Sequence, residues 1–329
     1  MNGTEHPAEG KDLRALVMQL GQHMWRGPMD TWDGHVRGDE KAPYDDGARW
    51  VVEHWNRLQF DDGSWRKITD YAAKKGLNAI RLDLGEGVRY PSHPELAVSD
   101  SWSAERLRDE AKRLADLGIE IIPSLNFSTA HDIWLGEYSR MVSTRTYYQV
   151  CADIIADVCE ILGTPRLMGI GYDEESPRLQ RNQAFCVCRQ GDLWWHDLYW
   201  LVNEVEKRGV RALMSADYAW DHKDEYFKKA PRSVLQANWY YGAEFDPKKM
   251  AHPEYLLTYD ELEKAGFDQF PGCSNIGCNT NIGDTVRYCR KHVAPGRLKG
   301  FQASIWRCTW PQYEQVHFDA IDQLAVALR

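Results

Sequence analysis

Near the middle of the chain, Asp173, Glu174 and Glu175 close a short apolar run, Leu167-Met168-Gly169-Ile170-Gly171-Tyr172. The two glycines let the backbone pass close to other groups, so carboxylates at the end of such a strand can be held over whatever lies above the sheet. Adjacent carboxylates can also hold different pKa values, one ionised and one protonated, which is what bond cleavage at an acetal carbon requires. An isolated Asp-Glu-Glu is equally compatible with a solvated acidic loop. The place of the motif in the order of elements separates the two readings.

Eight short apolar or β-branched runs alternate with amphipathic stretches: Ala15–Leu20, Ala79–Leu84, Ile119–Leu125, Leu167–Gly171, Ala212–Ser215, Val234–Trp239, Gln269–Cys273 and Phe301–Ile305. Between the second and third, Leu107, Ala111, Leu114 and Ala115 repeat with helical spacing, Ser103 stands as an N-cap, and Gly118 ends the helix. Eight such units in 329 residues predict an α/β fold, a (β/α)8 TIM barrel in one domain over 13–329, preceded by a polar tail over 1–12. A doubly wound sheet is the alternative, but no G-x-G-x-x-G follows the first strand. The connection from Gly21 to Gly63, rich in Trp, Asp and Gly, is a long insertion after strand 1 that should cap one side of the active face.

In such barrels chemistry sits at the carboxyl ends of the strands. Asp83, Glu86 and Arg89 follow strand 2. Asn126, His131 and Asp132 follow strand 3, and the acidic triplet follows strand 4. Asp217 and Asp221 follow strand 5, and Asn238-Trp239-Tyr240-Tyr241 ends strand 6. Strand 7 ends in Pro271-Gly272-Cys273-Ser274-Asn275 with no carboxylate. If a glycosidic bond is cleaved here, its nucleophile must be another carboxylate, a water, or a group of the substrate itself.

The 14 tryptophans and 16 tyrosines support a carbohydrate partner, because several stand at strand ends: Trp25, Trp134, Trp220, Trp239, Tyr240, Tyr241 and Trp306. Their rings suit the apolar faces of sugars and, for Tyr and Trp, keep a polar edge for hydroxyls. A formal charge of -9, from 40 Lys+Arg against 49 Asp+Glu, argues against nucleic acid or an anionic membrane as partner. No apolar stretch nears the roughly 20 residues that cross a bilayer, so a soluble protein is expected. The compartment stays open, export after removal of a signal included. Eight cysteines are too sparse for a disulfide scaffold. Cys186-x-Cys188 and Cys273-x4-Cys278 lack the C-x2-C pairing of structural zinc sites, while Cys151 and Cys159 read as core thiols. Neither metal nor cofactor is expected.

Three stretches resemble glycoside hydrolase family 20, the β-N-acetylhexosaminidases. Gly118-Ile119-Glu120-Ile121-Ile122-Pro123 is similar to the family's G-I-x-V-[IV]-P-type run. Tyr147–Glu174 is similar to the helix and H-x-G-G-D-E strand. Leu193–Trp239 is similar to the next two βα units. The resemblance implies that Glu174 is the general acid/base and that Asp173 orients a substrate 2-acetamido group acting as internal nucleophile. It further implies that Tyr240 or Tyr241 holds the acetamido oxygen and that Trp239 and Trp306 wall the sugar. The chain departs from the family pattern at Gly169 and Tyr172, in the Pro123–His131 segment, and at strand 1, where Arg26 is only near the family's sugar-binding arginine.

The structural readings stand beside these. Glu175 reads as a helix-start charge. His131 reads as a partner of the acid or a cap on its loop. Asp83 and Glu86 read as hydroxyl ligands or as ion-pair partners of Arg81 or Arg89, and Asn126 and Asp217 as substrate contacts. Two other functions fit the same elements. One is a metal-dependent sugar isomerase or epimerase with Asp83, Glu174, Asp217 and His131 around a divalent ion. The other is a barrel that binds carbohydrate without cleaving it.

Overall fold

The computed structural model describes residues 12–24, 56–181 and 186–329. Trp25, Arg26, most of the connection from Gly21 to Gly63, and all of the tail except Asp12 lie outside them. Eight strands form one parallel sheet: β1 Leu13–Gln19, β2 Ala79–Asp83, β3 Glu120–Ser124, β4 Leu167–Gly169, β5 Arg211–Ser215, β6 Leu235–Ala237, β7 Gly272–Cys273 and β8 Gly300–Ser304. Their order is β6-β5-β4-β3-β2-β1-β8-β7. Parallel bridges from Gln236 to Gln269 and from Trp239 to Gly272 join the two ends. The fold is a (β/α)8 barrel, and each of the eight expected runs contributes a strand.

Among the described residues, eight α-helices of seven residues or more alternate with the strands: α1 Asp62–Lys74, α2 Ala104–Asp116, α3 Arg145–Ile161, α4 Asp192–Glu206, α5 Lys223–Lys229, α6 Glu254–Ala265, α7 Asn281–His292 and α8 Glu314–Ala327. In α2 the hydroxyl of Ser103 accepts the Arg106 N–H at 3.1 Å, satisfying one of the orphan donors of the first turn. Gly118 ends the helix at φ 79°, a left-handed conformation that costs an L side chain about 1 kcal/mol or more. The inward stripe of α2, Leu107 and Leu114, is fully buried. So are Ile154, Ile155 and Val158 of α3 and Leu198, Leu201 and Val205 of α4. Each such side chain contributes about 1.5–3 kcal/mol by leaving water, and this layer holds the helices to the barrel.

Inside the barrel, Leu13, Ala15, Ala79, Ile122, Leu167, Leu213, Leu235, Ala237 and Phe270 form a separate apolar plug toward the amino-terminal end. Above it lies Arg81, whose guanidinium donates to Gln302 Oε1 at 3.0 Å and to Ser124 Oγ at 3.1 and 3.3 Å. Gln19 pairs with Asp83, Asp83 with Ser124, and Ser124 with Gly169. That register ends β1 to β4 at one level, so the residues just beyond them gather at one mouth. Cys151 and Cys159 are buried in α3, as expected.

Candidate active site

The segment leaving β4 is bent sharply by three constraints within four residues. Gly171 has φ 67°, and a Cβ there would lie 1.9 Å from Asn126 Oδ1. Only glycine lets β4 pass this close to the end of β3. Tyr172 and Glu174 also take positive φ, 72° and 60°, conformations that cost about 1–3 kcal/mol each in non-glycine residues and persist only when the surroundings over-determine them. Those surroundings are specific. The Tyr172 ring is buried, its hydroxyl donating to the Trp194 carbonyl at 3.1 Å. Asn126 Nδ2 donates to Asp173 Oδ1 at 2.9 Å, and the Ser128 hydroxyl bonds the Asp173 carbonyl. The Glu174 N–H is accepted by Asp217 Oδ2 at 2.8 Å.

These contacts set the Asp173 and Glu174 carboxylates beside His131. Its Nε2 lies 3.7 Å from Asp173 Oδ2 and 3.2 Å from Glu174 Oε2. Its Nδ1 is 2.7 Å from the Met24 carbonyl. A carbonyl only accepts, so Nδ1 carries a hydrogen and Nε2 is the atom that gains or loses the exchangeable proton. Burial opposes charging this ring, yet the Asp173 charge and the Glu174 hydrogen bond outweigh it and push His131 up to about 9. Burial would raise Glu174, but the His131 hydrogen bond and charge hold its carboxyl below the usual glutamate value. The histidine dominates, and at neutral pH the shared proton sits on the imidazole.

Asp217 behaves in the opposite way. It is 1% exposed, and burial together with the Asp173 charge pushes its carboxyl well above the ordinary aspartate value. Oδ2 accepts the Glu174 N–H, while Oδ1 has no hydrogen-bond partner among the described residues. This carboxyl holds the Glu174 backbone through Oδ2.

Glu175 is not a solvent-facing helix-start charge. Both its oxygens are held by Arg189, at 2.9 and 2.7 Å, and Oε1 also accepts the Thr129 N–H at 2.9 Å. Arg189 donates further to Asp197 at 3.1 Å and to the Phe127 carbonyl at 2.7 Å, and both side chains of the Glu175–Arg189 pair are 0% exposed. The sequence reading missed Arg189, Ser128 and the Met24 carbonyl, none of which stands in a recognisable motif.

Glu86 is occupied in holding the exit of β1. It accepts the N–H groups of Gln22 at 2.6 Å and His23 at 3.0 Å, with the His23 ring at 3.6 Å. Asp83 is buried at the end of β2, where its carbonyl accepts the Leu20 and Gly21 N–H groups. Arg81 bonds Ser124 and Gln302 and so is not the ion-pair partner offered for either acid, and Arg89 is exposed.

The opposite side of the mouth is aromatic. Trp220 meets Trp239 edge-on at 4.6 Å, Trp239 stacks on Tyr241 at 5.1 Å, and Tyr241 faces Trp306 at 6.3 Å. The Tyr241 hydroxyl reaches Ser304 and Trp306, and burial raises its pKa well above the usual range. Tyr240 points elsewhere, packing edge-on against Phe245 at 5.3 Å. Of the two tyrosines, the structure puts Tyr241 in the row. Among the described residues, no group of three or more His, Cys, Asp and Glu is arranged to hold a metal ion. No helix among them is long and apolar enough to cross a membrane.

No protein-family profile and no curated protein sequence matches this chain. Solved structures do. An exo-β-N-acetylglucosaminidase of glycoside hydrolase family 20 from Vibrio harveyi aligns with a TM-score of 0.60 at 12% identity, over 95% of this chain and 54% of its own. A Streptomyces plicatus N-acetyl-β-hexosaminidase gives 0.57 at 12%, over 93% and 62%. A glycoside hydrolase family 5 enzyme from Prevotella bryantii gives 0.56 at 11% identity, over 100% of both chains. The shared feature is the barrel. This chain spans about half the length of the Vibrio harveyi enzyme.

Proposed function

We propose that this chain is a glycoside hydrolase, with Glu174 as general acid/base and Asp173 as the carboxylate that orients or stabilises the reacting sugar. The observation that carries the reading is the proton-sharing pair His131–Glu174 beside Asp173, at the carboxyl end of β4 and across the mouth from an aromatic row. Proton transfer to a glycosidic oxygen needs an acid that is loaded at the working pH. His131 stores the proton on Nε2, within reach of Glu174 Oε2. A sugar that displaces water from this mouth weakens the charge-separated form of the pair, and the proton moves to Glu174 and on to the leaving oxygen. Glu174, then ionised, accepts a proton from the water that completes hydrolysis.

With no carboxylate on the segment Gly272–Asn275, the nucleophile is another carboxylate, a water or a group of the substrate. A 2-acetamido group oriented by Asp173 meets that need, which favours an N-acetylhexosaminide and agrees with the family 20 resemblance. Trp239, Tyr241 and Trp306 supply the stacking wall, and Asp83, Asn126 and Asp217 line the polar side. The substrate is a carbohydrate and no cofactor takes part. The test is a screen of aryl glycosides, N-acetylated and not, with and without exhaustive chelation. Turnover that survives chelation supports the proposal. The same result removes the metal-dependent sugar isomerase or epimerase, and binding without turnover of any glycoside points to a carbohydrate-binding barrel.

A further inference from the structure

Cys186 and Cys188 stand on the β4–α4 connection, immediately before the buried anchor Arg189. Val187 packs against the core and Arg189 is 1% exposed, whereas Cys186 is half-buried and Cys188 exposed. Side chains two residues apart in extended chain share a side, and the two thiols do so here. Their sulfurs are 3.9 Å apart. Two extended residues span at most about 7 Å between Cα atoms, at the upper edge of what a disulfide bridges, so closing the S–S bond to about 2.05 Å needs side-chain rotation and a slight contraction of the loop. The other cysteines do not compete: Cys151, Cys159, Cys273, Cys289 and Cys308 are buried, and Cys278 faces Thr280.

We propose that Cys186 and Cys188 are a thiol–disulfide exchange site that closes an intraloop disulfide with a small-molecule disulfide as oxidant. The exposed Cys188 thiolate attacks one sulfur of the oxidant, forming a mixed disulfide and releasing the first thiolate. The Cys186 thiolate then attacks the Cys188 sulfur and expels the second. Two electrons pass from the protein to the oxidant, and the two thiol protons leave with the released thiolates. The order of events follows from the surroundings. Burial and the neighbouring Cys188 thiol push Cys186 up to about 12. Once Cys188 is in a mixed disulfide it carries no charge, and that part of the opposition disappears. The site does not depend on the hydrolase reading.

Trypsin cleaving after Arg181 and Arg189 releases a peptide, 182–189, that contains these two cysteines and no others. The folded protein is incubated with oxidised glutathione, quenched in acid, alkylated with N-ethylmaleimide under denaturing conditions and mapped by mass spectrometry. The expected result is a peptide two hydrogens lighter that has lost both alkylation sites, restored by dithiothreitol. Cys186→Ser should stop at the glutathione adduct on Cys188, and Cys188→Ser should lose the disulfide altogether. Wild-type peptide that accumulates the adduct, or that keeps two alkylated cysteines while Ser-variant controls fold normally, overturns the proposal.

Discussion

Replacing Glu174 with glutamine keeps the size and hydrogen-bonding capacity of the side chain and removes its charge, so it reads the pair from both sides. In the wild type, His131 holds its proton to about 9, against an ordinary value of 6.5 and against its own burial. An opposite charge within hydrogen-bonding distance typically raises such a value by about 1–3 pH units, and Asp173 remains in the variant at 3.7 Å. The His131 titration, followed by the ring proton resonances in NMR, should therefore fall by about 1–2 pH units, worth about 1.4–2.7 kcal/mol. Catalysis should respond by leaving group. Glycosides with poor leaving groups should lose on the order of 10²–10⁴-fold in rate. Activated aryl glycosides, whose leaving groups need little protonation, should lose less in the cleavage step. Full activity on an unactivated glycoside would refute the acid role of Glu174. An unmoved His131 titration would refute the coupling itself.

Other outcomes follow from the same geometry. His131→Gln should move the basic limb of the pH–rate profile from about 9 down toward the range of the glutamate itself, because Glu174 must then hold the proton unaided; an unchanged limb excludes His131 as the proton store. The folded-state value of His131 lies above its unfolded value, so its contribution to stability is fully present below about 6.5 and is lost as pH rises through about 9; denaturant midpoints across this range should show that decline in wild type and a smaller one in Glu174→Gln. Arg189→Met leaves the buried Glu175 and Asp197 carboxylates facing an apolar side chain and should cost about 3–5 kcal/mol in denaturant unfolding, an effect that would be near zero if the ion pair were exposed. Gly171→Ala places a methyl group on Asn126 Oδ1 at a positive φ and should cost at least about 1–3 kcal/mol, read as a lowered melting temperature; an unchanged melting temperature contradicts the close approach of β3 and β4.

The barrel was legible because strands and helices differ in hydrophobic period and because Gly and Ser punctuate the joins. Ser103 and Gly118 bound their helix as expected, and strand boundaries moved by only a few residues where short strands such as β4 and β7 keep few ladder partners. Asp173, Glu174, His131 and Asp217 were legible as a group because register alone brings the ends of neighbouring strands together. Their ionisation was not. It depends on which side chain lies within about 4 Å of which, and the Met24 carbonyl that fixes the His131 hydrogen comes from a loop more than a hundred residues away in the chain. Glu175 shows the limit most sharply. Next to two mouth carboxylates, its sequence context offers a third charge, and only Arg189, 14 residues further along the chain, turns it inward. An inward Glu175, with Tyr172 pinned beneath Trp194, forces the positive φ of Tyr172 and Glu174, and that bend aims Asp173 and Glu174 upward at His131. The local rule broken at these residues and the chemistry they can perform thus have one physical origin: a backbone held away from its preferred conformations by buried polar partners.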